Sequence, residues 1–100
     1  MTTSARANWQ AIGDAIKIGA PVIVAEFWAN RRGESIRVQF YEFEGTTLLD
    51  IRKHYTAADG VLRPTRKGLS VTIRRLPDLA KAIVKAERMA HELGLLKVQP

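Results

Sequence analysis

The sequence predicts an α+β domain: four antiparallel strands in a meander, followed by one C-terminal amphipathic helix. Three observations carry that prediction. Between positions 22 and 73, apolar and polar residues alternate in short runs broken by Gly, Asn and Asp, as in half-buried strands. From Leu76 the apolar residues recur every three or four positions, the period of a helix. At 100 residues and 46% hydrophobic content, the chain can fill one core but not two.

Two regions are expected, an N-terminal arm or short helix over residues 1–20 and a folded domain over 21–97. In the first, Trp9, Ile12 and Ile16 suit one face of a short helix that Gly13 interrupts. After Pro21, "VIVAEFW" (22–28) is an apolar, β-branched strand, and "ANRRGE" supplies the turn into "SIRVQFYEF" (35–43). In that second strand Ile36, Val38 and Phe40 share one face and read as core. Arg37, Gln39, Tyr41 and Phe43 share the other. Glu44 and Gly45 form a tight turn into "TTLLDIRKHY" (46–55), and "AADG" (57–60) is a turn whose Gly takes positive φ. The fourth strand is expected over residues 67–73, with Leu69, Val71 and Ile73 on one face.

The helix runs from Leu76 to Leu93. Pro77 suits its first turn, Asp78 favours the positive N-terminal end, and Gly94 can end it. Leu79, Ile83, Ala86, Ala90 and Leu93 form its apolar stripe, which Ala80, Ala82, Val84 and Met89 widen. One small sheet does not need so broad a face, so a second copy of the chain, a homodimer, is expected to cover it; the alternative cover is the N-terminal arm.

Function is read first from charge. Sixteen Lys and Arg against ten Asp and Glu leave a formal charge of +6, which favours polyanions, nucleic acid before an anionic membrane. The cations crowd around one connection, where Arg52 and Lys53 precede it and Arg63, Arg66 and Lys67 follow. Beside them, Arg37, Tyr41 and Phe43 give the second strand a mixed cationic and aromatic face, of the kind that tracks phosphates and stacks on bases. From the residues alone, Phe43 is either a stacking platform or a core aromatic capping its hairpin, and the "TRKG" cations are either contacts or a solvated loop.

Other chemistry finds little support. Cysteine is absent, which removes disulfides, thiolate metal sites and cysteine nucleophiles and fits a reducing compartment. His54 and His91 have no second ligand at metal spacing and read as solvated or partly packed. Glu42 and Glu44 lack a burying environment, and Gly45, Gly60 and Gly68 form no phosphate loop. No catalytic residues, metal or cofactor are therefore expected. The sequence has no apolar run of membrane-spanning length and no signal-peptide core. The helix's polar face, with Asp78, Glu87 and Glu92, is not of the membrane-binding type. A cytoplasmic, nucleoid-associated protein is expected.

The string "FEGTTLLDIRKHYTAADGVLRPTRKGLSV", leading into a Pro-started helix, resembles the positive cofactor four family of transcriptional coactivators. "PVIVAEFWANRRGE" before it resembles a bacterial-type member. The resemblance implies a strongly curved four-stranded sheet, a homodimer whose helices pack together, and channels for single-stranded DNA. It implies that Phe43 and Tyr55 stack on bases and that Arg52, Arg66 and Lys67 bind the backbone. The chain departs from the family at Glu44 and Thr46, where lysines commonly flank the turn glycine. The expected partners are single-stranded DNA, with RNA or melted duplex as alternatives, the chain itself, and transcription machinery. Strand parity adds a constraint, because Arg52 and Tyr55 are three apart and face opposite ways on a regular strand. Two rival readings remain: an RNA or duplex binder using cations alone, and a protein-interaction module using the wide helix.

Overall fold

A computed structural model describes residues 21–96. Strands β1 (Val22–Trp28), β2 (Glu34–Phe43), β3 (Thr46–Thr56) and β4 (Leu62–Thr72) form one antiparallel sheet in chain order. A 3-10 turn (Ile73–Arg75) then leads into the helix α1 (Leu76–Glu92). The arm or helix expected over residues 1–20 lies outside the described residues.

Local chemistry explains the joints. Phe43 pairs with Thr46 across a two-residue turn in which Glu44 has φ of 52° and Gly45 φ of 80°, the mirror-image turn that matches strand twist. Pro77 sits in the first turn of α1 and Asp78 near its positive end, while Gly94, with φ of 74°, follows the helix.

Two sequence expectations are corrected. The fourth strand starts at Leu62 rather than Lys67, so Arg63 and Arg66 belong to a strand and not to a loop. The register slips between the pairs Arg52 with Gly68 and His54 with Pro64, which leaves an irregular stretch where no alternation could be read. Ile73 leaves the sheet for the 3-10 turn and does not share a face with Leu69 and Val71.

Register assigns the two faces. Opposite pairs Ser35 with His54, Arg37 with Arg52, Gln39 with Asp50 and Asp50 with Ser70 build a polar face, joined by Ile23, Glu26 and Trp28 of β1. Phe27, Ile36, Val38, Phe40, Leu49, Ile51, Leu69 and Val71 build the apolar one. The polar face is concave, with an open hollow of about 500 Å³ lined from all four strands, including Ile23, Gln39, Asp50 and Pro64.

The described residues leave the apolar face unfinished. Leu49 is the only buried hydrophobic residue among the described ones, and Ile36, Val38 and Phe40, expected as core, are only half-buried. The helix α1 buries no residue. The radius of gyration of the described residues, 16.1 Å, exceeds even the roughly 13 Å of a compact 100-residue domain. Among the described residues, no helix is long and apolar enough to cross a membrane.

Candidate nucleic-acid interface

The centre of the polar face is a closed hydrogen-bond network. Arg52 Nε and Nη2 both donate to the Asp50 carboxylate, at 2.9 to 3.2 Å, and Nη1 donates to the Thr65 carbonyl at 3.0 Å. Ser70 Oγ donates to Asp50 Oδ1 at 2.9 Å, so Tyr41, 3.1 Å from Ser70 Oγ, is the donor in that contact. Asp50 is buried and its charge is met by a guanidinium in fork geometry. The same hydrogen bond to Asp50 raises the Arg52 pKa above its ordinary value. No buried side-chain nitrogen or oxygen among the described residues lacks a partner.

This arrangement changes what Arg52 can offer. Of its five N–H groups, three are spent within the protein, leaving one on each terminal nitrogen, and its charge is already matched by Asp50. Arg37 is likewise paired, with Nε 2.8 Å from Glu26 Oε2, and Arg63 meets Asp59 at 2.7 Å in an exposed pair. Lys53 lies 3.7 Å from Glu34 Oε1, so four of the six cations singled out in the sequence carry a counter-charge of their own.

Arg66 and Lys67 do not. Both are exposed and neither has an ion-pair partner among the described residues. The motif "PTRKG" explains how they are presented. Pro64 has no N–H to give the ladder. Thr65 replaces it: its Oγ1 donates to the Lys53 carbonyl at 2.7 Å and accepts the Lys67 N–H at 3.1 Å. Arg52 anchors the Thr65 carbonyl from below. Gly68 then passes so close to β3 that a Cβ would lie 2.5 Å from the Ile51 carbonyl oxygen and 2.8 Å from Arg52 Cα. Only glycine fits there.

The aromatics divide between the faces. Tyr41 and Phe43 lie on the polar face with Arg37 and Arg52; Phe43, at its end, is 56% exposed. Tyr55, 42% exposed, lies on the opposite face beside Arg63 and two residues from Lys53. The register of β2 and β3 is unbroken, so no irregularity in that pair brings Arg52 and Tyr55 to one side. The cationic bulge of β4, an edge strand, stands between the two sets. Lys53 and Lys67 share a shallow cleft with Ile36 and Leu69 on the Tyr55 side.

Sequence reasoning missed Asp50, Ser70 and Glu26. The signal was present for Asp50, since "DIRKH" places Asp50, Arg52 and His54 on one face by the same alternation used for β2. His54, expected to be solvated or partly packed, is buried at 3% exposure, with Nδ1 3.4 Å from the Arg52 carbonyl. The expected dimer residues are placed in register on α1: Leu79 and Ala90 are half-buried, while Ile83, Ala86 and Leu93 are exposed. Among the described residues no cluster of His, Asp and Glu could hold a metal.

An open antiparallel meander with a trailing helix and a pinned cationic bulge at its edge defines a class of small sheet-and-helix proteins. Residues 30–82 match the family described as Transcriptional Coactivator p15 (PC4), and the chain belongs to that family. Among solved structures, it is similar to a PC4 homolog from Burkholderia pseudomallei in its orthorhombic form. The TM-score is 0.62 at 24% identity, over 66% of this chain and 88% of that one. The tetragonal form of the same homolog gives 0.61 at 22% identity, over 68% and 98%. A bacteriophage T5 homolog of the eukaryotic coactivator PC4, implicated in recombination-dependent DNA replication, aligns with a TM-score of 0.48. Its identity is 20%, over 78% of this chain and 83% of that one. No curated protein matches the chain.

Proposed function

We propose that this chain is a homodimeric, sequence-tolerant single-stranded DNA-binding protein that regulates transcription or handles exposed DNA, working at the nucleoid in the cytoplasm. The observation that carries this reading is the pinned β4 bulge. The fold spends Thr65, Arg52 and Gly68 on holding Arg66 and Lys67 out to solvent without counter-charges, at an edge with an exposed aromatic face on either side. A polyanion bound there finds phosphate contacts at the bulge and π-faces at Phe43 and Tyr55. The strand wraps the β4 edge, passing from the polar face of Arg37, Tyr41 and Arg52 to the side of Tyr55, Arg63 and Lys67. Glu44, beside Phe43, weakens phosphate contact at the hairpin tip, and the free cations of the bulge offset it.

The second copy follows from the unfinished apolar surface. The stripe Leu79, Ile83, Ala86, Ala90 and Leu93, together with the uncovered sheet face, is what a partner protomer buries. The proposed division is a folded domain over residues 21–97 with an N-terminal arm or short helix over 1–20. No step of this function calls for catalysis, a metal or a cofactor.

The test is a titration of labelled oligonucleotides, single-stranded DNA, duplex and RNA, at matched salt, with protein mass checked by light scattering. Single-stranded DNA should bind most tightly, and Phe43→Ala or Tyr55→Ala should each cost about 1–3 kcal/mol without unfolding the protein. Equal affinity for duplex, or unchanged affinity in both variants, would sink the stacking roles.

A further inference from the structure

We infer that Trp28, with Arg31 and Arg32, forms an additional single-strand stacking site on the first hairpin, at the far end of the polar face from Phe43. This rests on the single-strand reading above. Trp28 is 67% exposed, more than any other aromatic residue among those described. It lies outside the segment 30–82 that matches the family, so the family's contacts do not account for it.

Placement picks the occupant. Phe27 and Trp28 are adjacent, both exposed, and on opposite faces of the edge strand β1. Phe27 stands opposite Ile36, on the apolar side that a second protomer covers. Trp28 stands opposite Ser35, in line with Glu26 and Arg37, and borders a shallow cleft of about 420 Å³ with Asn30, Arg31 and Gly33. An indole edged by cations and polar groups suits a base and its phosphate rather than an aliphatic surface.

The charges at this end support that choice. Arg31 is exposed with no ion-pair partner among the described residues. Arg32 holds only a loose contact, 3.7 Å to Glu34, with its side chain 81% exposed. Glu26, the nearest acid on that face, is already matched by Arg37. The turn that presents them is fixed, since Asn30 Oδ1 accepts the Arg32 N–H at 2.9 Å and Asn30 Nδ2 donates to Glu34 at 2.6 Å. From Ser35 to Phe43, β2 spans eight residue steps, roughly 27 Å of strand. Trp28 thus marks one end, and Phe43 the other, of a single aromatic and cationic track.

The experiment uses the chain's two tryptophans. In Trp9→Phe protein, emission reports Trp28 alone, and it is followed while a labelled 20-mer of thymidine is titrated by anisotropy. The expected result is quenching that tracks binding, a roughly 5- to 150-fold loss of affinity in Trp28→Ala, and near-full affinity in Trp28→Phe. Binding by anisotropy with unchanged Trp28 emission overturns this inference and leaves the single-strand reading standing. Loss of the dimer mass in Trp28→Ala with unchanged affinity also overturns it, making Trp28 an interface residue. No binding by any of these proteins overturns both.

Discussion

The two faces of the sheet are finished to different degrees. On the polar face every buried side-chain nitrogen and oxygen has a partner within the chain, through Tyr41, Ser70, Asp50 and Arg52. On the apolar face a single hydrophobic side chain among the described residues, Leu49, is buried, and no helix residue is. The contrast teaches that the described residues supply their own specificity but not a complete core. Hydrogen bonds fix the register and present the cations, while the burial that stabilises a fold is what the proposed dimer would add.

The sharpest way to break the contrast is on the apolar side. In the proposed dimer, Ile83→Asp removes burial worth roughly 1.5–3 kcal/mol from each of two protomers and adds a carboxylate to the seam. We expect loss of the dimer by light scattering and of the cooperative melt by circular dichroism. A stable dimeric variant would remove α1 from the interface. Next, Asp50→Ala leaves Arg52 without its counter-ion on a face that is otherwise complete. Because the Arg52 side chain keeps 23% exposure, the cost should fall at the low end for broken buried pairs, about 3 kcal/mol by urea denaturation.

Smaller effects separate paired from unpaired cations. Lys67→Ala should lower the slope of log affinity against log salt by about 0.7, the single-strand value for one lost phosphate contact. Arg63→Ala, already paired with Asp59, should lower it less. Equal slopes for both would mean that the internal ion pairs do not decide which cations reach the DNA. Smallest of all is a pH effect at the first hairpin. The Asn30 hydrogen bond, with Lys53, Arg32 and Lys67 nearby, holds the Glu34 pKa below its usual 4.5. A carboxylate so depressed stabilises the fold above that pH and loses its contribution as the pH falls through the folded value. The melting-temperature difference between the native protein and Glu34→Gln should therefore be constant above pH 5 and narrow in more acid solution.

Much of this was legible in the residues. A β-branched run placed β1, flanking turns placed β3, and alternation placed β2 and separated Ile36, Val38 and Phe40 from Arg37, Tyr41 and Phe43. The 3.6 period and Pro77 placed α1. The start of β4 was not legible, because "RPTRKG" carries no alternation and its strand character comes from Thr65 and Arg52 substituting for ladder bonds. Nor were the ion pairs, since Arg37 meets Glu26 and Arg63 meets Asp59 only once register and turn geometry are set. The residues could name the cations; they could not say which were already matched.

The order of the strands in the sheet is the order of the strands in the chain. Each ladder closes a loop of a few residues, which costs little entropy and requires no long-range search. The polar network can therefore form inside a lone chain, at a rate indifferent to concentration. In the proposed dimer, covering the apolar side is a bimolecular event. If that proposal holds, refolding should split into a fast first-order phase and a slower second-order one, with the time to a working molecule set by how soon two nascent sheets meet.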